Sequence, residues 1–196
     1  MRIFLAGASG VIGQRLVPRL VRAGHVVGGM TRSPGKAEQL AGLGAEPIVC
    51  DVYDREALVR AVRDFAPDVV MNQLTDLPDE AARLGEYTEL NARVRTEGNR
   101  NVIEAARRSG SPKIMVQSIA WRPPARSGRS GAPAVEELER SVLAEGGVVL
   151  RYGQFYGPGT YYEQEIPGEP RVHIDRAADR TVELLDEPSG VVVVTD

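Results

Sequence analysis

The chain has 196 residues, 42% of them hydrophobic and 26% charged, with a net charge of −3. That length fits one domain with a substantial core, and the mild acidity gives no general attraction to nucleic acid or to an anionic membrane surface. The single cysteine, Cys50, excludes an internal disulfide and reads as a buried thiol; no apolar run is long enough to cross a bilayer, and with no charged leader before the first apolar run the expectation is a cytoplasmic protein.

Arg2 to Ala6 reads as a strand, and Gly7-Ala8-Ser9-Gly10-Val11-Ile12-Gly13 follows at once. A helical pattern comes next, with Ile12, Leu16, Leu20 and Ala23 on one side, then a second apolar run from His25 to Met30. Strand, glycine turn, helix and strand is the setting that makes a glycine spacing a nucleotide site. Gly7 turns the chain out of the strand, Gly10 lets a diphosphate approach the backbone, and Gly13 lets the helix pack close to the sheet. Unpaired first-turn amides and the positive helix end favour an anion there, so Gly7, Ser9, Gly10, Val11, Ile12 and Gly13 are the expected cradle. Pro18 is expected to bend the helix, and Arg15, Arg19 and Arg22 to form a solvated face.

The second strand ends in Met30-Thr31-Arg32-Ser33, with Lys36 close behind and no acidic residue. NAD-specific domains place an acid here for the ribose hydroxyls. Thr31, Arg32, Ser33 and Lys36 suit a 2′-phosphate instead, through a planar guanidinium and an ammonium point charge. NADP(H) is therefore the expected cofactor, with NAD(H) as the alternative.

Lys36 to Leu43 reads as a short helix and Glu46 to Cys50 as a third strand; Asp54 stands where an N-cap belongs. Asp68 to Met71 is a fourth strand, and Asn72-Gln73-Leu74-Thr75 follow its carboxyl end, the edge where open α/β sheets bind ligands. The polar loop through Asp76, Asp79 and Glu80 reads as solvated. A long helix is expected from Tyr87 to Arg108, with Leu90, Val94, Gly98, Val102 and Ala105 as its buried stripe and Arg93, Arg100 and Arg107 on an exposed side, solvated or at a dimer contact. Lys113 to Gln117 is a fifth strand ending at Ser118. Trp121 reads as a packing residue. Pro123 to Pro133, rich in Pro, Gly, Ser and Arg, reads as a flexible cover. Val148 to Arg151 and Val191 to Val194 are the last strands. No Cys, His and carboxylate grouping has the spacing of a metal site.

The spacing G-x-x-G-x-x-G, rather than G-x-G-x-x-G, resembles the extended and atypical short-chain dehydrogenase/reductases, including the NAD-dependent epimerase/dehydratase-like proteins. Gly98-Asn99-Arg100-Asn101 with Glu104-Ala105-Ala106 resembles the corresponding family helix, although Arg95 stands where that helix often has asparagine. Tyr152-Gly153-Gln154-Phe155-Tyr156-Gly157-Pro158-Gly159 resembles the family's Arg-Pro-x-Asn-Val-Tyr-Gly-Pro-Gly stretch, and Arg171 to Asp175 its His-Val-x-Asp; Asp175 is expected to cap a helix from Arg176 to Leu185. The resemblance implies a single domain over 1–196, a doubly wound, mostly parallel sheet, with substrate-side segments at about 119–134 and 152–175. Family members usually continue into a substrate domain of about a hundred residues; here the substrate part is expected to be minimal.

The resemblance also implies roles. Asp51 and Val52 contact adenine; Gln73, Leu74 and Thr75 lie against phosphates and ribose; Ser118 is the catalytic hydroxyl; Tyr152 and Phe155 sit beside the nicotinamide. Tyr161, Tyr162, Glu163 and Glu165 are placed to line a substrate mouth. The family's Tyr-x-x-x-Lys pair is missing: Gly131 and Val135 occupy its positions, and neither Lys36 nor Lys113 replaces it. Two expectations follow. One is an NADP(H)-dependent oxidoreductase or epimerase-like enzyme on a small carbonyl or hydroxyl substrate, with Ser118 and Tyr152 handling the proton. The alternative is a non-catalytic NADP(H)-binding sensor or scaffold. Either would be a monomer or homodimer with a small-molecule partner, no nucleic acid and no membrane.

Overall fold

The computed structural model describes residues 1–110, 113–121 and 131–196. Short apolar runs alternate with amphipathic segments, and a parallel sheet flanked by helices is the arrangement that buries both. The strands are β1 (Arg2–Ala6), β2 (Val26–Thr31), β3 (Glu46–Val49), β4 (Val69–Asn72), β5 (Lys113–Ile119), β6 (Val148–Tyr152), β7 (Gln154–Tyr156), β8 (Arg171–His173) and β9 (Gly190–Val194). The helices are α1 (Gly13–Arg22), α2 (Ala37–Gly42), α3 (Arg55–Phe65), α4 (Thr88–Arg93), α5 (Asn99–Ser109), α6 (Gly131–Ala144) and α7 (Ile174–Glu183).

Seven strands form one sheet in the order β3-β2-β1-β4-β5-β6-β9. Every pairing is parallel, a stricter arrangement than the mostly parallel sheet expected. The order reverses between β1 and β4, which opens a crevice at their carboxyl ends. The two-residue period of β1 sorts its side chains to opposite faces. Ile3 and Leu5 pack with Leu16, Leu20 and Ala177; Phe4 and Ala6 pack with Leu58, Val62 and Val102. Each layer thus closes one face of the same sheet.

Local chemistry sets several boundaries. Asp54 accepts the Ala57 amide at 3.0 Å and caps α3, as expected. Gly110, at φ 72°, ends α5 in the left-handed region that glycine favours. Pro18 lies inside α1, which continues to Arg22.

Other expectations change. Ala23 is exposed. Arg15 and Arg19 are not a solvated face: Arg19 contacts Asp175 at 3.0 Å and Asp179 at 2.6 Å, Arg15 reaches Asp175 at 3.4 Å, and together they join α1 to α7. Asp175 is used there, so the α7 cap is the His173 ring, whose Nδ1 accepts the Asp175 amide. The long helix is interrupted: a π turn over Val94–Gly98 separates α4 from α5. Leu90 is 44% exposed and Ala92 is buried in its place. Gly98 faces the Val94 and Val52 side chains rather than the sheet. Arg93, Arg100 and Arg107 pair with Glu97, Glu137 and Glu145. Of the flexible cover, 123–130 lies outside the described residues, while Gly131, Ala132 and Pro133 open α6, where proline's missing N–H is tolerated. Among the described residues, no helix is long and apolar enough to cross a membrane.

Candidate dinucleotide and substrate site

The carboxyl ends of β1, β2, β4, β5 and β6 open into one cavity of about 1010 Å³. The glycine turn forms its first wall. Gly7, at φ 86°, brings its backbone so close to the strand-β4 loop that a Cβ would lie 2.8 Å from the Gln73 carbonyl. A Cβ on Gly13 would lie 2.3 Å from the Gly7 oxygen, so Gly13 packs against the turn itself and not against the sheet. Gly10 faces the cavity, and only the Gly7 oxygen, at 3.3 Å, approaches its missing Cβ. Helix α1 begins with no side-chain cap and no acidic residue in its first turn. The Val11 and Ile12 amides have no acceptor among the described residues. Bare amides at a positive helix end are the physical basis of a diphosphate cradle. Gly7, Ser9, Gly10 and Val11 line the cavity, with Ile12 and Gly13 behind them.

Thr31, Arg32, Ser33 and Lys36 line the next wall. The Thr31 hydroxyl bonds Ser9 at 3.0 Å and receives the Ser33 amide at 3.2 Å. Arg32 donates to Asp76 at 3.1 Å, a bond that raises the guanidinium pKa. Asp76 is buried, not solvated, and was missed because its carboxylate reaches back across the crevice to a residue 44 positions earlier. Asp51 accepts the Tyr53 amide at 2.9 Å in a local turn, and Val52 packs into the core beside it. Cys50 is buried, and that burial pushes its thiol up to about 11, in the neutral form.

The loop after β4 is held by its own amides. Asn72 is buried between the Asn99 carbonyl, at 3.0 Å, and the Leu74 amide, at 3.1 Å. Gln73, Leu74 and Thr75 follow it along the cavity. Two buried polar atoms here have no hydrogen-bond partner among the described residues, Gln73 Oε1 and Tyr53 Oη, and both residues line the cavity. Buried polar atoms are rarely left unpaired, so these orphans, with the open face of Gly10, fit a large polar ligand lying from the glycine turn across the crevice.

At the far end, Ser118 lies on the cavity wall, but its hydroxyl donates to Glu139 at 2.5 Å. Arg151 grips the same carboxylate with two bonds, at 2.9 and 2.5 Å. Burial opposes the Glu139 charge, but the Arg151 and Ser118 bonds outweigh it and hold the pKa below the ordinary carboxylate range. Tyr152 is 2% exposed, and its hydroxyl meets Thr181 Oγ1 at 2.6 Å. Burial pushes that phenol up to about 12. Phe155 packs on the Tyr152 ring at 5.2 Å between centroids. Tyr156 is fixed elsewhere, by Asp196 and the His173 ring. Tyr161, Tyr162 and Trp121 line the mouth, while Glu163 accepts the Gly159 amide. Gly131 also lines the cavity, and Val135 is buried behind it. Lys113 is bound to the Leu185 and Glu187 carbonyls at the opposite sheet edge. Among the described residues no cluster fits a metal ion.

Comparison with known proteins agrees with this geometry. Residues 7–143 match a family model described as NAD(P)H-binding. A relative from a Streptomyces species, named 3-diazoavenalumate denitrifying reductase, is 35% identical over an alignment that covers 100% of this chain and 76% of the relative. The fold is similar to that of a Thermus thermophilus UDP-glucose 4-epimerase solved with NAD, at a TM-score of 0.80 and 20% identity, covering 100% of this chain and 78% of that one. A Campylobacter jejuni UDP-Glc/GlcNAc 4-epimerase is similar at a TM-score of 0.78 and 16% identity, covering 99% and 78%. With the glycine cradle at the sheet's switch point, the family match and the reductase relative place the chain in the NAD(P)H-binding family, on a fold shared with the epimerases.

Proposed function

We propose that this protein is a reductase that prefers NADP(H) and acts on a small aromatic electrophile able to accept hydride without a proton from the protein. The observation that carries this reading is the state of the hydroxyls at the far end of the cavity. The Ser118 hydroxyl donates its hydrogen bond to Glu139 and Tyr152 is buried against Thr181, and the family resemblance puts Gly131 and Val135 where the tyrosine and lysine would be. Reduction of a carbonyl leaves an oxyanion that needs a proton donor; a substrate whose leaving group departs as a neutral gas does not.

The Streptomyces relative is named for a diazo substrate and for denitrifying reduction. Reductive loss of nitrogen from an aryl diazonium ion consumes one hydride, releases dinitrogen, forms the arene C–H bond and takes up no proton. We extend that substrate class to this chain. When bound, the dinucleotide supplies the hydride. The residues of the chain bind and orient. Gly7, Ser9, Gly10 and Val11, with Ile12 and Gly13 behind them, hold the diphosphate; Thr31, Arg32, Ser33 and Lys36 the 2′-phosphate; Asp51 and Val52 the adenine; Gln73, Leu74 and Thr75 the ribose and phosphates. Ser118, Tyr152 and Phe155 shape the nicotinamide end.

The test follows NADPH absorbance and released nitrogen with an aryl diazonium salt, aldehydes, ketones and quinones, each against a no-enzyme control. Nitrogen release matching NADPH consumption, retained in Ser118→Ala and Tyr152→Phe, supports the proposal. Faster turnover of carbonyls, lost in Ser118→Ala, restores the proton-relay expectation. Tight NADPH binding without turnover of any substrate makes the chain a sensor. The NADP(H) preference has its own check: NADPH should bind about tenfold or more tighter than NADH, and equal affinities would remove it.

A further inference from the structure

One charged side chain on this cavity has no partner among the described residues. Arg95 sits in the π turn between α4 and α5, is partly buried, and lines the cavity. It has no hydrogen-bond or ion-pair partner among the described residues. The acids around it are used elsewhere: Glu97 by Arg93, Glu137 by Arg100, Glu139 by Arg151, Asp76 by Arg32. Residues 122–130 contain no carboxylate at all. Burial lowers the Arg95 pKa, with no acid offsetting it.

A guanidinium has five donors and stays charged. Withdrawing it even partly from water without a partner is unfavourable, and perturbed charges collect at functional sites. π turns do the same. Placement adds direction. The π turn packs against α6, whose first residue, Gly131, lines the same cavity. Arg95 therefore belongs to a turn that contacts the helix where the tyrosine and lysine are missing. In the proposed reading the diphosphate cradle and the cationic corner of Arg32 and Lys36 serve the dinucleotide, which leaves Arg95 for the substrate. Trp121 lines the cavity with Arg95 and offers a face for a ring.

We propose that Arg95 is the substrate anchor of this site, and that the substrate is an aryl compound carrying a carboxylate. A planar fork of donors matches a carboxylate with two parallel bonds, and the charge stays uncompensated until the substrate supplies the anion. This rests on reading the cavity as the reductase's substrate site, and the experiment separates the two.

Cinnamate, cinnamamide and phenyl phosphate would be titrated calorimetrically into the full chain, native, Arg95→Met and Arg95→Lys, with NADPH titrated in parallel. Native protein should bind cinnamate about tenfold or more tighter than cinnamamide, a difference expected of a charge-assisted pair. Arg95→Met should abolish that preference, and Arg95→Lys should restore part of it. NADPH affinity should stay within about twofold in both variants, on the scale where tenfold marks a lost contact. The ligand-free Arg95→Met chain should melt at the same temperature as native or higher, because an unpaired charge has been removed. A lower melting temperature or an unfolded Arg95→Met chain would make Arg95 structural and overturn the proposal. So would equal binding of cinnamate and cinnamamide by native protein, a preference for phenyl phosphate, or weakened NADPH binding in Arg95→Met. If NADPH fails to bind any form while the Arg95-dependent carboxylate preference persists, the reductase reading falls and the carboxylate site stands.

Discussion

Single atoms decide most of this site. A methyl group on Gly13 would sit 2.3 Å from one carbonyl oxygen and 2.6 Å from the next, both backbone and neither able to move aside. Gly13→Ala should therefore cost on the order of 1–3 kcal/mol, the usual range for overpacking, and weaken NADPH binding, as denaturant titration and calorimetry would report. Asp76 gives a prediction of opposite sign. Its carboxylate neutralises Arg32 beside the proposed 2′-phosphate site, so Asp76→Asn should tighten NADPH binding by several fold, within the range of one charge-assisted contact, and leave NADH unchanged; no change in either would separate Arg32 from the phosphate. Glu139 ties Ser118 to Arg151. Glu139→Gln should cost about 2 kcal/mol, between the values for hydrogen bonds to charged groups and for broken buried pairs, since Arg151 is 41% exposed and partly screened. The Glu139 pKa is depressed on folding. Its contribution is therefore complete above the ordinary carboxylate pKa and disappears as pH falls through that range to the folded value. Denaturation of native and variant chains should differ at neutral pH and converge in acid. Sequence alone could nominate Ser118, because a strand end is visible in a pattern. It could not assign the hydroxyl proton, because Glu139 and Arg151 reach Ser118 only through the fold.

Elements show where periodicity carries information and where it stops. Strand ends follow apolar runs, and the seven strands of the main sheet lie within a residue or two of expectation, whereas the short β7 and β8 are not expected from the sequence. Nor is the break in the long helix. A π turn accommodates an extra residue, about 100° of helical phase, so the residues before it leave the stripe set by Val102 and Ala105. Leu90 is exposed for that reason, and the same break carries Arg95. No residue type announces such a turn. The arginines of α1 look solvated in sequence because their partners, Asp175 and Asp179, lie about 160 residues away in α7. Those partners remain exposed, so Arg19→Ala should cost only about 1 kcal/mol, and that cost should shrink as salt is raised. A salt-independent loss would make the packing of the Arg19 stem, not its charge, the source.

At the scale of the molecule, one parallel sheet with an apolar layer on each face holds the glycine turn, the cationic corner and the Ser118 wall around a single crevice. Alternating strand and helix patterns made that architecture readable, since a parallel sheet has few ways to cover both faces. The contents of the crevice were readable only where local spacing defines them. The glycine turn is local. The Asp76–Arg32 pair, the Glu139 network and the Tyr53 and Gln73 orphans come from different parts of the chain. A ligand that binds only the folded state stabilises it by mass action, about 2.7 kcal/mol at a hundred times its Kd. The most direct test is calorimetric titration of the full chain with NADPH and with NADH, with melting temperatures recorded alongside. One site per chain, tighter binding of NADPH and a melting temperature that rises by several degrees at saturation are the expected results for a chain of this size. The absence of both heat and thermal shift with either dinucleotide would contradict them.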